Sequence, residues 1–230
     1  MTSFFSFFSG RTLVRMAAVL FAAFYFTGCV QINLTMNLAP DGSGVTQIRL
    51  EMLDQMHDML ENMARQSGKE MPLLDEDRLN NYLADNAGQL RKYSNTVKDG
   101  VRVIDAVVFV KDVAAFMDAT SNELMRLERD GNKARWHLMN TEMSQAFAAM
   151  DDALLANQMQ MMRSSMSGLN VQMQVTVPHI ADTNLQKVGS TTARFLLDFD
   201  SQIGEKSGDE AIAAFRALLE PKYVDITGLK

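Results

Sequence analysis

The chain has 230 residues, with 28 acidic against 22 basic side chains and a formal charge of −6. An acidic body with scattered charges argues against nucleic-acid binding, which needs a basic face. The apolar content is that of an ordinary globular protein, and the length suits one domain or two small ones.

The first predicted element is a secretory signal over residues 1–28. It contains no Asp or Glu, and its only charges are Arg11 and Arg15. An apolar run from Met16 to Phe26 follows, then Thr27-Gly28-Cys29. A basic start, a short apolar run and small residues at the cut are the layout of an export signal. The run falls short of the roughly 20 apolar residues that span a bilayer. Thr27-Gly28-Cys29 resembles the lipobox of bacterial lipoproteins, with Phe26 where an aliphatic residue is usual. That resemblance implies cleavage between Gly28 and Cys29 and lipidation of Cys29. Cys29 is the only cysteine, so no disulfide framework is available and a thioether to lipid would consume the lone thiol. Loss of Arg11 and Arg15 takes the formal charge of residues 29–230 to about −8. A lipid, and not charge, is then expected to hold the domain to the membrane. Val30 follows Cys29. Asp at that place is the enterobacterial inner-membrane retention signal, so in a diderm host the expected location is the periplasmic face of the outer membrane.

The mature chain opens with an alternating strand. Val30, Ile32, Leu34, Met36 and Leu38 fall on one side and Gln31, Asn33, Thr35 and Asn37 on the other. Pro40-Asp41-Gly42-Ser43-Gly44 predicts a turn, and Thr46–Met52 a second strand, giving a hairpin directly after the lipid. From Leu53 the period changes. Met52, Met56, Met59 and Met63 are spaced as one face of a helix ending at Ser67-Gly68. After Pro72, Asp75-Glu76-Asp77 marks the start of another helix, carrying Leu79, Tyr82, Leu83 and Ala87 and closed by Gly88. Strands are expected over Leu90–Asn95 and Val101–Val110 around a Lys98-Asp99-Gly100 turn. A short capped helix is expected at Asp112–Met117, then a hairpin of Glu123–Arg129 and Lys133–Met139. Thr141 opens a long helix to about Arg163, with Phe147, Met150, Leu154 and Leu155 on its apolar side. Asn170–Val177 reads as a strand, Pro178–Asn184 as a loop, Thr191–Phe199 as a strand and Asp209–Leu219 as a helix stopped by Pro221. Strands in adjacent pairs favour one α+β domain over 29–230, with a largely antiparallel sheet, helices packed on one face and room for an apolar cavity.

Both ends of the mature chain carry a further pattern. Cys29 runs straight into a strand and Ala39-Pro40-Asp41-Gly42-Ser43-Gly44. Val175-Thr176-Val177-Pro178-His179-Ile180-Ala181-Asp182-Thr183-Asn184 precedes Gly189-Ser190-Thr191-Thr192-Ala193-Arg194-Phe195. This resembles the LppM-type domain of bacterial lipoproteins. The resemblance implies a sheet and helices around an apolar cavity and a role with envelope lipids. It supplies no catalytic residue, and the Met-rich helices stand as insertions in its pattern.

No catalytic, cofactor or metal motif is present. There is no Gly-rich phosphate loop, Gly-x-Ser-x-Gly elbow, His-Glu-x-x-His pair or Cys-based metal motif, and His57, His137 and His179 are isolated in sequence. The chain carries 18 methionines. Soft thioethers select Cu(I), but only His57 lies near the Met52–Met63 stripe. The favoured reading of that stripe is a packing or lipid-lining face, for which adaptable Met is well suited. The less regular group Met159, Met161, Met162 and Met166 is placed beside a groove. The expectation is therefore a non-enzymatic lipoprotein, without cofactor or metal, anchored through Cys29 and binding a lipid or other apolar ligand. The alternative is an adaptor whose Met-rich helices dock a protein partner of an envelope complex.

Overall fold

The computed structural model describes residues 30–67, 71–120, 125–138, 151–152, 155–156, 159, 163 and 166–230. The segment 1–28 read as a signal and Cys29 lie outside these residues, as do Phe147, Met150, Leu154, Met161 and Met162.

The first hairpin forms as the alternation dictates. β1 (Gln31–Leu38) pairs antiparallel with β2 (Gly44–Leu53). Asp41 closes the turn by accepting from the backbone N–H and hydroxyl of Ser43, which holds its pKa below the ordinary carboxylate value. β2 continues through Met52 into Leu53, and α1 (Asp54–Ser67) begins one residue later. The helical spacing expected from Met52 onward is therefore corrected at its first member. Met52 is a strand residue, because its backbone completes a ladder with the strand Val101–Val110, opposite Arg102.

A short 3-10 helix, Pro72–Leu74, leads into α2 (Glu76–Asp85). Asp75 caps α2 by accepting from the Arg78 backbone N–H at 2.9 Å, satisfying one donor that the first turn leaves free. The helix ends before Gly88. Ala87 takes the left-handed turn at φ 58°, while Gly88 already belongs to β3 (Gly88–Lys98). Glycine is needed there for space: a Cβ would sit 3.0 Å from Leu83 Cδ2 and 3.2 Å from Phe116 Cε2. β3 turns through Asp99 and Gly100, both at positive φ, into β4 (Val101–Val110). Two successive positive φ values give the turn twist that matches antiparallel strands. α3 (Val113–Ala119) follows, capped by Asp112, which accepts from the Ala115 N–H.

The remaining strands are β5 (Arg126–Asp130), β6 (Lys133–His137), β7 (Asn170–Thr176), β8 (His179–Thr183), β9 (Gln186–Lys187), β10 (Thr192–Asp198) and β11 (Tyr223–Thr227). A π-helical stretch, Asp200–Gly204, precedes α4 (Gly208–Leu219). Two sheets result. One runs β3-β4-β2-β1-β7-β10-β9 and the other β5-β6-β11-β8. The class is α+β, mostly antiparallel. The β1–β7 pairing is parallel and joins the N-terminal hairpins to the C-terminal strands. One expectation is corrected here: Pro178–Asn184 is largely β8. The segment after Pro221, which the sequence reading left without an element, is β11, which pairs with both β6 and β8.

The helices and the second sheet cover the same face of the large sheet. Met36, Leu38 and Val175 pack with Trp136, Ile180 and Val224 of the second sheet. Leu50, Met52 and Ile104 pack beneath Met56 of α1 and Leu74, with Val30 and Ile32 against them. Leu197 and Phe199 pack with Leu155, Met159, Met166 and Phe215. The opposite face carries the polar members of each alternation, including Gln31, Gln47, Arg49 and Gln172. No helix among the described residues is long and apolar enough to cross a membrane.

Candidate functional site

The four methionines singled out from the sequence divide into two pairs. Met52 on β2 and Met56 on α1 are 1% and 4% exposed and belong to one buried cluster. Met59 and Met63, further along α1, are half-buried. Met159 and Met166 are buried in a different cluster.

The opposing side of α1 builds a site that the methionine pattern does not announce. A groove of about 450 Å3 opens between α1 and the Pro72–Arg78 segment. His57 and Glu61 enter it from α1, one helical turn apart and hence on one face. Asp75 and Arg78 enter from the start of α2, Asn95 from β3, and Leu74 supplies an apolar wall. Its position follows from a chain of polar contacts. Arg102 on β4 bonds Asp54 at the start of α1 through Nε at 2.8 Å and Nη2 at 2.6 Å. Arg102 Nη1 also donates to Asn95 Oδ1 at 2.8 Å. The Asp54 N–H donates to the Gly100 carbonyl, so the first turn of α1 is tied to the β3–β4 turn twice over. Asn95 Nδ2 and His57 Nε2 both lie 3.5 Å from the Leu74 carbonyl, and the Tyr93 hydroxyl donates to the Leu73 carbonyl at 3.2 Å. Burial pushes the Tyr93 pKa up, with the charges of Asp75 and Glu76 adding to it.

Glu61 is 8% exposed, the one charged side chain among the described residues to be so deeply buried. Its Oε2 accepts from Arg78 Nη2 at 2.8 Å, which keeps the charge compensated. Burial of an unpaired carboxylate would be costly. Its Oε1 and the Nδ1 of His57 are buried without a hydrogen-bond partner. Sequence reasoning placed His57 beside the methionine face and missed Glu61. The available signal was the His57–Glu61 spacing of four, which puts the two side chains on a common helix face whose apolar neighbours belong to the other side.

A second open groove, of about 490 Å3, lies between α3 and β5, with Ala114 and Leu127 among charged residues. Both grooves carry charged walls, so neither provides the apolar chamber that the sequence reading allows for. On the second sheet Arg135 holds Asp225 with two bonds of 2.6 and 2.7 Å and lies 4.9 Å from the Tyr223 ring centre. The Tyr223 hydroxyl donates to Asp182 at 2.9 Å. Those contacts lower the Asp225 pKa through Arg135 and raise that of Tyr223 through Asp182. Among the described residues no group of three or more His, Cys, Asp or Glu is placed to hold a metal ion.

The architecture has a solved counterpart. It is similar to the NMR structure of the folded domain of the Mycobacterium tuberculosis LppM protein. The two share 15% identity at a TM-score of 0.47, with 90% of this chain and 94% of that chain covered. No family model and no curated protein matches the sequence.

Proposed function

We propose that the chain is a membrane-anchored lipoprotein of a bacterial cell envelope, non-enzymatic, whose α+β domain binds a lipid or other apolar ligand. The observation that carries the reading is the Thr27-Gly28-Cys29 junction, which runs into β1 with only Val30 between. A lipid on Cys29 would hold the domain against the bilayer with almost no tether. Val30 packs against the cluster that contains Met56, so the α1 end of the domain would be the membrane-facing end. In a diderm host, Val30 after the cysteine supports the periplasmic face of the outer membrane as the location. The acidic balance leaves the membrane, and no nucleic acid, as the expected partner.

Two measurements test this reading. Cys29→Ser is expected to abolish incorporation of a fatty-acid label, and equal label in wild type and variant refutes the anchor. Mass spectrometry of the purified mature chain is expected to find a co-purified lipid in addition to the anchor. The half-buried Met59 and Met63 favour a second reading, an adaptor that docks a protein through α1. Absence of any lipid, together with full tolerance of Met59→Asp, would select it.

A further inference from the structure

The groove between α1 and the Pro72–Arg78 segment holds hydrogen-bonding capacity that the fold does not use. His57 Nε2 lies 3.5 Å from the Leu74 carbonyl, and the tautomer that donates there from Nε2 leaves Nδ1 with the lone pair. Asp58 Oδ1, on an exposed side chain, lies 3.6 Å from Nδ1, which is itself buried without a partner. One turn further, Glu61 Oε1 is a third acceptor, buried and unmatched. A buried polar atom left without a partner is destabilising. Two buried, unmatched acceptors with an exposed carboxylate beside them on one helix face suit a compact donor with several hydrogens. Of the ionic side chains lining the groove, three are carboxylates and two are guanidiniums. The carboxylates of the groove thus outnumber its guanidiniums.

We propose that this groove binds a primary ammonium group carried next to a phosphate, the chemistry of a phosphoethanolamine headgroup. The ammonium offers three N–H donors to His57 Nδ1, Asp58 and Glu61 Oε1. Arg65 lines the same groove and supplies a cation for the phosphate, which guanidinium groups match in geometry. The headgroup can come from a lipid or from a soluble compound. The lipid source rests on the proposed function, and the ammonium site itself does not. The groove lies over the cluster in which Val30 packs, close to where an anchor on Cys29 would meet the bilayer.

The test uses the mature lipoprotein with 15N-labelled histidine in a nonionic detergent. His57 is assigned by its loss in His57→Gln. Phosphoethanolamine is titrated against phosphocholine, whose quaternary nitrogen has no N–H to donate. The expected result is a shift of the His57 Nδ1 resonance with phosphoethanolamine alone, weakened about tenfold in Glu61→Gln, the equivalent of one charged hydrogen bond. The wild-type titration stands even if Glu61→Gln fails to fold. Nanodiscs with and without phosphatidylethanolamine then separate the sources. The same shift in the phosphatidylethanolamine discs assigns a lipid headgroup, and a shift with the free compound only assigns a soluble amine. No shift, an equal shift with phosphocholine, a His57 already doubly protonated at neutral pH, or displacement by zinc ion overturns the proposal. Co-purified lipid without any such shift would leave the lipid-binding reading standing and remove only the ammonium site.

Discussion

Replacing Met52 separates packing from sulfur chemistry. The side chain is 1% exposed and wedged among Leu50, Ile104 and Met56. Burial of such a side chain contributes about 1.5–3 kcal/mol of transfer free energy. Met52→Ala also leaves a cavity whose walls are two hydrogen-bonded strands, which cannot collapse far to fill it. Met-to-Ala changes in cores cost about 2–5 kcal/mol, and the rigid surroundings place this one at about 3 kcal/mol. In a domain of this size each kcal/mol moves Tm by about 2–4 °C, so the melting temperature should fall by about 6–12 °C. Met52→Leu conserves volume and should cost less than about 1.5 kcal/mol. Circular dichroism melts of a chain of residues 29–230 compare the two variants, with a Cu(I) competition assay alongside. Should Leu prove as damaging as Ala, and tight Cu(I) binding vanish in both, the sulfur and not the volume is what matters and the packing argument fails. An Ala variant that loses less than a degree would refute the burial argument itself.

Adjacent substitutions at the end of α2 should act in opposite directions. Ala87→Gly relieves a left-handed backbone that costs a residue with a Cβ about 1 kcal/mol. Gly88→Ala drives a methyl into Leu83 and Phe116 and should cost about 1–3 kcal/mol; urea midpoints read both. Asp225, with its pKa depressed by Arg135, contributes stability in full above the unfolded carboxylate value. That contribution drains away as pH falls through the lower folded value. Asp225→Asn should flatten the acid limb of a stability-against-pH curve, and an unchanged acid limb would show that the pair contributes nothing.

Where a segment's own period settles its structure, the sequence was legible. β1 and β2 follow alternation, β4 is a β-branched run, and α2 and α3 announce themselves by Asp75 and Asp112. The failures share a cause, since they are segments whose structure depends on partners distant in the chain. β8 contains one deeply buried apolar residue, Ile180, among turn-forming neighbours, and is a strand because β11 offers it a ladder. Met52 fits a helical spacing by number alone, yet its backbone is claimed by Arg102 across the sheet. The groove was hidden for the same reason. Glu61 looks like any surface helix residue until Arg78, from another helix, closes over it.

The parallel pairing of β1 with β7 has a consequence for how the molecule is assembled. β1 finds β2 through a short turn, but its other edge waits for a segment as remote as Asn170, which lies beside Gln31. Contacts so distant in sequence form late and slowly, because the chain between them must lose its freedom first. A chain delivered across a membrane N-terminus first would present the β1–β2 hairpin with one naked edge until β7 arrived. Throughout that interval the hairpin could pair with a foreign strand. A lipid that pinned Val30 to the bilayer would restrict which strands could reach that edge, making the anchor a guardian of folding as well as an address.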